Sequence, residues 1–218
     1  MELCIFEDGG FSNLYPLSLT RPVYDLRCGM TTLREKITRC FPEYEVVLHC
    51  RDYLAEAVSE ENPGLSVNQI SGQECLFVNG RLLALSDFRE VSKKVNMNEV
   101  YRKGDTVFAA KVEGGFLNKL KSVLNQPLTP EIFENLPSQS GSEEYITYPW
   151  DLIHKNGVQI SEDFDALKKG GLIQGKIYEK VTLLNKDEIF IGKGAKVKPG
   201  VVLDAAGGPI YIDEGAEI

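Results

Sequence analysis

Residues 3–37, LCIFEDGGFSNLYPLSLTRPVYDLRCGMTTLREKI, decide the fold. They open on a short apolar run, Leu3, Cys4, Ile5 and Phe6, with the length and composition of a buried strand. A glycine pair, Gly9-Gly10, follows, then two prolines (Pro16, Pro22) and two arginines (Arg21, Arg27). The spacing of Leu33 and Ile37 predicts a helix from about Thr31 to Phe41, with Thr31 or Thr32 near its start. Strand, glycine loop, extended crossing segment and helix, in that order, make a device for holding phosphates against backbone N–H groups and fixed guanidiniums.

Outward from this stretch, strand-like and helix-like runs alternate. Val46–Leu48, Cys75–Val78 and Thr106–Val112 read as strands. Tyr53–Glu60, which stops before Asn62-Pro63-Gly64, and a run from about Phe116 to Leu124 read as helices. Such alternation implies an α/β, Rossmann-like domain, a mostly parallel sheet with helices on both faces. Ligands of such sheets bind at the carboxyl ends of the strands, where Asp8-Gly9-Gly10 and Asn79-Gly80-Arg81 both fall, so the two loops are expected to face one cleft. From Pro127 to Ser142 the composition turns to that of a loop, and Tyr148-Pro149-Trp150 then leads into an amphipathic segment reaching Leu167. Trp150, the single tryptophan, is expected to anchor a core or a junction between domains. The Gly170-Gly171 pair marks the expected boundary between a domain of residues 1–170 and a second of residues 171–218.

The second part has another texture. Ile191, Val197 and Leu203 recur every sixth residue, and Ile212 and Ile218 resume that interval after an offset. Gly192, Gly194, Gly200 and Gly215 stand between them, in IGKGAK, VKPGVV and IDEGAE. A period of six with small residues at the corners predicts the beginning of a left-handed parallel β-helix, against the alternative of ordinary β-hairpins.

Composition narrows the class of partner. At 218 residues, 43% hydrophobic and 26% charged, the chain can bury a full core. A net charge of -8 opposes non-specific binding to nucleic acid or to an anionic membrane, while leaving room for one local basic pocket. The five cysteines contain no C-x-x-C and are odd in number, which points to neither a disulfide framework nor a zinc site and fits a reducing cytoplasm. No basic leader or long apolar run opens the sequence.

Leu14, Pro16, Leu17, Thr20, Pro22 and Gly29 stand where the signature of sugar-nucleotide pyrophosphorylases places its Arg-Leu-x-Pro-Leu-Thr run, its following proline and its helix-opening glycine. DGGFSNLYPLSLTRPVYDLRCG, VNGRLL at residues 78–83, YPWDLIHKNG at residues 148–157 and VVLDAAGGPIYIDEGAEI at the end resemble, in that order, a sugar nucleotidyltransferase family related to the bifunctional N-acetylglucosamine-1-phosphate uridylyltransferase/glucosamine-1-phosphate acetyltransferase. The resemblance implies transfer of a nucleotidyl group from a nucleoside triphosphate to a sugar 1-phosphate, a Mg²⁺ cofactor, and a homotrimer assembled through the β-helix. Gly9, Gly10, Asn13, Leu14, Asn79, Gly80 and Arg81 are expected to contact the nucleotide.

The sequence departs from that pattern at three places. Asn13 stands where well-studied relatives have an arginine, Val23 where they have a lysine, and Arg81 where they have the aspartate that holds the metal. Arg21 and Arg27 flank the lost lysine and are expected to supply the catalytic phosphate contacts. Asp8 reads as a turn former, Lys36 as a surface residue, and His49 and His154 as structural. Two further readings follow from the departures: a catalytically degenerate nucleotide- or nucleotide-sugar-binding domain that regulates a hexapeptide-repeat acyltransferase, and a ligand-free scaffold.

Overall fold

Leu3 and Ile5 face one side of β1 (Glu2–Phe6) and Cys4 and Phe6 the other, and this alternation organises residues 1–154. The computed structural model describes residues 1–84 and 88–218, which divide into two units, Met1–His154 and Lys155–Ile218. In the first unit β1 lies within a seven-stranded sheet made with β4 (Glu45–Leu48), β5 (Ser66–Val67), β6 (Glu74–Asn79), β7 (Glu99–Lys103), β8 (Thr106–Glu113) and β9 (Ser138–Ser140), in the order β5-β4-β1-β6-β8-β7-β9. β1 runs parallel to β4 and β6, and β4 to β5, while β8 is antiparallel to β6 and β7 and β9 is parallel to β7. The sheet is thus mostly parallel, with β8 the reversed strand.

Leu3 and Ile5 pack with Ile37 and Cys40 of α1 (Leu33–Cys40), Val58 of α2 (Ala55–Glu61) and Phe88 of α3 (Phe88–Lys93). Cys4 and Phe6 pack with Leu117 and Leu120 of α4 (Gly114–Lys121) and with Phe133. Helices therefore cover both faces. A small antiparallel pair, β2 (Arg27–Cys28) with β3 (Thr31–Thr32), leads into α1. Thr32 caps that helix: its hydroxyl accepts from Glu35 N at 3.2 Å, and the Glu35 carboxylate accepts from Thr32 N at 2.7 Å. All five cysteines are buried and none is in a disulfide, and burial pushes the Cys75 thiol up to about 12, which keeps it protonated as a packing group.

Several elements lie beyond what the apolar pattern anticipates, among them the short β2, β3 and β5. β7 reads EVYRK and β9 reads SQS, without the apolar run of a strand, and α3 reads FREVSK, where Phe88 and Val91 alone are too few to mark a helix. Their conformation is set by the neighbouring strand or by the sheet face beneath them. Lys36, expected at the surface, is 3% exposed on the face of α1 that carries Leu33, Ile37 and Cys40. Trp150 is 52% exposed and lies stacked on Tyr148, ring centroids 4.6 Å apart, so it anchors no core in the first unit.

The division between the units falls inside α5 (Pro149–Leu167). The second unit then repeats short strands. β10 (Lys176–Ile177), β11 (Thr182–Leu184) and β12 (Ile189–Ile191) pair in parallel with β13 (Lys196–Val197), β14 (Val202–Asp204) and β15 (Ile210–Ile212), respectively. Ile189, Ile191, Ala195, Val197, Leu203 and Ile212 fill the space they enclose, whereas Ile218 is 48% exposed. Gly194 turns the chain with φ +75, and Gly192 admits close backbone approach, since an added Cβ would lie 2.7 Å from Glu214 N.

Candidate functional site

β4 joins β1 on one side and β6 on the other, so the connections reverse direction at β1 and open a crevice beyond the carboxyl ends of β1 and β6. β1 delivers Glu7 and Asp8 to this edge, and β6 delivers Asn79, Gly80 and Arg81. An ion pair bridges the crevice. Arg81 Nε donates to Asp8 Oδ1 at 2.8 Å and Arg81 Nη2 to Asp8 Oδ2 at 2.6 Å, a bidentate grip, while Nη1 donates to Ile146 O at 3.0 Å. Asp8 Oδ1 also accepts from Gly10 N at 3.0 Å, and Oδ2 from Asn79 Nδ2 at 2.8 Å. Four donors thus converge on one carboxylate.

This geometry explains the glycines. A Cβ on Gly10 would stand 2.4 Å from Arg81 Cζ, so the glycine makes room for the guanidinium. A Cβ on Gly80 would stand 2.9 Å from Tyr24 Cδ1, and Gly80 N donates to Phe6 O at 2.8 Å. Asn79 closes the turn by accepting from Arg81 N at 2.9 Å. Gly9 is exposed, and a Cβ there would meet nothing within 4 Å, so the loop has an open side.

Glu7 forms the second pair. It is fully buried, and its carboxylate accepts from Arg51 Nε at 3.0 Å, Arg51 N at 3.2 Å and Val23 N at 2.9 Å. Arg51 reaches on to Ser18 O at 2.5 Å and Arg21 O at 3.1 Å, beneath the ring of Phe11 with its centroid 4.3 Å away. The arginine therefore fixes the crossing segment to the end of the sheet. Burial raises the Glu7 pKa against the pull of Arg51. Beside it, His49 Nδ1 accepts from Glu7 N at 3.2 Å and Nε2 lies 2.9 Å from Gln126 O, which makes Nε2 the protonated nitrogen; burial pushes this histidine down to about 4.

The residues singled out in the sequence separate into two groups. Gly10, Asn79, Gly80 and Arg81 gather around Asp8 and the end of β1, whereas Arg21, Arg27 and Asn13 are exposed outside this network. Arg27 Nη1 donates to Met30 O, and Leu14 is fully buried beside Val23, Leu26 and Leu33. Between the two exposed arginines in sequence, Asp25 lies 3.0 Å from Arg34 Nε, and burial pushes its carboxyl up to about 6 against that partner. Sequence reasoning missed Glu7 and Arg51. The signal available was their position, each just beyond the end of a parallel strand.

The Mg²⁺ that the resemblance implies does not fit this arrangement. Both Asp8 oxygens already accept from donors, and among the described residues no group of three His, Cys, Asp or Glu comes together as a metal site.

A family profile described as sugar nucleotidyl transferase matches residues 3–171. The chain belongs to this family, over most of its length and through the whole of the β1–β6 crevice. No curated protein matches it in sequence. Among solved structures, the chain is similar to the mannose-1-phosphate geranyltransferase from Thermus thermophilus, with 10% identity, a TM-score of 0.42, and coverage of 99% of this chain and 90% of that one. Among the described residues, no helix is long and apolar enough to cross a membrane.

Proposed function

We propose that the first unit takes a nucleoside triphosphate and a sugar 1-phosphate at the carboxyl edge of its sheet and joins them with release of pyrophosphate. Membership of the sugar nucleotidyl transferase family over residues 3–171 carries this reading, supported by the convergence of the Gly9-Gly10 and Asn79-Gly80-Arg81 loops on one crevice. In the reaction a sugar phosphate oxygen attacks the α-phosphorus in line, and the protein's work is positioning and neutralisation of charge. The exposed Arg21, and Arg27 with its Nη1 donating to Met30 O, are the guanidiniums assigned to that task, with the exposed Asn13 and the open side of Gly9 earlier in the same segment. Arg21→Ala is expected to raise the barrier by about 2–4 kcal/mol, measured as pyrophosphate release over a panel of triphosphates and sugar phosphates. Unchanged turnover would remove Arg21 from the mechanism.

One observation favours a second reading. The Asp8 carboxylate already occupies the donors that a phosphate would use, as befits a catalytically degenerate domain that binds a nucleotide or nucleotide-sugar and regulates a hexapeptide-repeat acyltransferase. Titration calorimetry with the same triphosphates, with and without Mg²⁺, separates the two: binding with turnover, or binding alone.

The reading extends to the second part of the chain. Its parallel pairs and the inward Ile191, Val197, Leu203 and Ile212 support the start of a left-handed β-helix over residues 171–218, related to that of the bifunctional uridylyltransferase/acetyltransferase and assembling as a homotrimer. Sedimentation equilibrium is expected to give three times the chain mass, and a monomer would remove this part. A cytoplasmic setting belongs to the same proposal, consistent with five buried thiols outside any disulfide, and cell fractionation tests it.

A further inference from the structure

The Asp8–Arg81 pair has the form of a ligand complex in which the ligand is part of the chain. Each carboxylate oxygen takes one guanidinium N–H and one further donor, from Gly10 N or Asn79 Nδ2, the geometry in which a phosphate's oxygens are held by an arginine and a loop amide. The pair stands across the crevice between β1 and β6, where sheets of this kind bind their ligands. It is not sealed. The Asp8 side chain keeps 12% of its exposure against 5% for Arg81, and the adjoining Gly9 is open to solvent, so the pair is reached from the carboxylate side. Arg81 stays anchored through Nη1 to Ile146 O and lies 5.2 Å from the Tyr145 ring centroid, contacts that hold the guanidinium in place when the carboxylate leaves.

We propose that Asp8 is a resident stand-in for a phosphoanion, and that a pyrophosphate-class ligand binds by displacing Asp8 from Arg81, Gly10 N and Asn79. This rests on the reading of the crevice as the phosphate site and adds how entry to it is regulated. A tethered carboxylate competes at a high effective concentration, so the affinity for a free anion is lowered by the fraction of molecules in which the pair is open. The same exchange exposes Asp8, which then repels any anion that does not replace its bonds to the arginine. The crevice therefore selects multiply charged phosphoanions over single carboxylates.

The test is titration calorimetry of the full chain with inorganic pyrophosphate. Asp8→Ala is expected to bind at least about tenfold more tightly than the wild type, the scale of one charge-assisted hydrogen-bonded contact released from competition. The double variant Asp8→Ala/Arg81→Met is expected to lose that gain. Equal affinity in wild type and Asp8→Ala, or a gain that survives the loss of Arg81, overturns the proposal. Should the variants fail to fold, the wild type decides: in a ¹⁵N NMR titration with pyrophosphate the Arg81 Nε–H and Gly10 N–H signals are expected to move together and saturate, and two unmoved signals overturn it. Turnover of triphosphate and sugar phosphate by a wild type whose two signals ignore pyrophosphate would leave the nucleotidyltransferase reading standing without the displacement. Displacement without turnover supports the stand-in and removes the catalysis.

Discussion

Glu7 and Asp8 are adjacent, and each is gripped by one arginine, yet their surroundings differ. The Glu7–Arg51 pair is roofed by Phe11, has no exposed carboxylate surface, and ties down backbone groups at Ser18, Arg21 and Val23. Asp8–Arg81 spans a crevice, beside an open glycine, and ties together the side chains and amide that an anion would want. Alternation along the extended chain sends the two carboxylates in opposite directions, one into the body and one to the rim. The lesson is that a buried ion pair is a fastener when its other partners are backbone groups of a segment it ties down, here the amide of Val23 and the carbonyls of Ser18 and Arg21. It becomes a gate when its other partners are donors at the strand ends that an anion could take over.

Breaking the fastener is expected to have the largest effect. Arg51→Met leaves Glu7 buried without its partner and is expected to cost on the order of 3–5 kcal/mol in urea denaturation. Burial raises the Glu7 pKa and Arg51 opposes that rise, so in Arg51→Met it is raised further. Stability tied to the protonated form is present below the unfolded value and lost as pH rises, more steeply in the variant, and the deficit of Arg51→Met grows toward neutral pH. Arg81→Met is expected to cost less, on the order of 2–3 kcal/mol, because Asp8 keeps its bonds from Gly10 and Asn79 and some access to water. Equal losses would erase the distinction between the two pairs.

His49 sharpens the comparison from the Glu7 side. Its folded pKa is pushed down to about 4, so its contribution is whole above the unfolded value near 6.5 and is lost as pH falls toward 4. Between pH 7 and pH 5 the wild type is expected to lose about 2 kcal/mol that His49→Asn does not lose, read from denaturation at the two pH values. The smallest effect is expected at the solvent-exposed cap. Thr32→Ala is expected to lower stability by about 1 kcal/mol, and this measures what a polar network of similar size contributes when it stays wet.

The strands Leu3–Phe6, Val46–Leu48, Cys75–Val78 and Thr106–Val112 were legible because each is an apolar run bounded by turn residues, and all four lie in the sheet. The orientation of β8 was not, since an apolar run carries no direction, and EVYRK and SQS become strands only beside their neighbours. The glycine loop showed where the crevice lies but not what fills it. Gly10 reads equally well as an approach for phosphate and as room for Arg81, and the choice is made by a residue from a distant part of the chain. Lys36 was misread because helical spacing puts it beside Ile37, and the buried face of α1 is wide enough to include it. Arg51 follows a strand with no motif around it, so its partner is visible only in three dimensions.

The central claim is that the crevice beyond β1 and β6 holds the phosphates of a nucleotide. Titration calorimetry of the wild-type chain with a panel of nucleoside triphosphates, with and without Mg²⁺, tests it most directly. The account predicts saturable heat for at least one triphosphate, weakened by Arg21→Ala; no heat with any of them would contradict it.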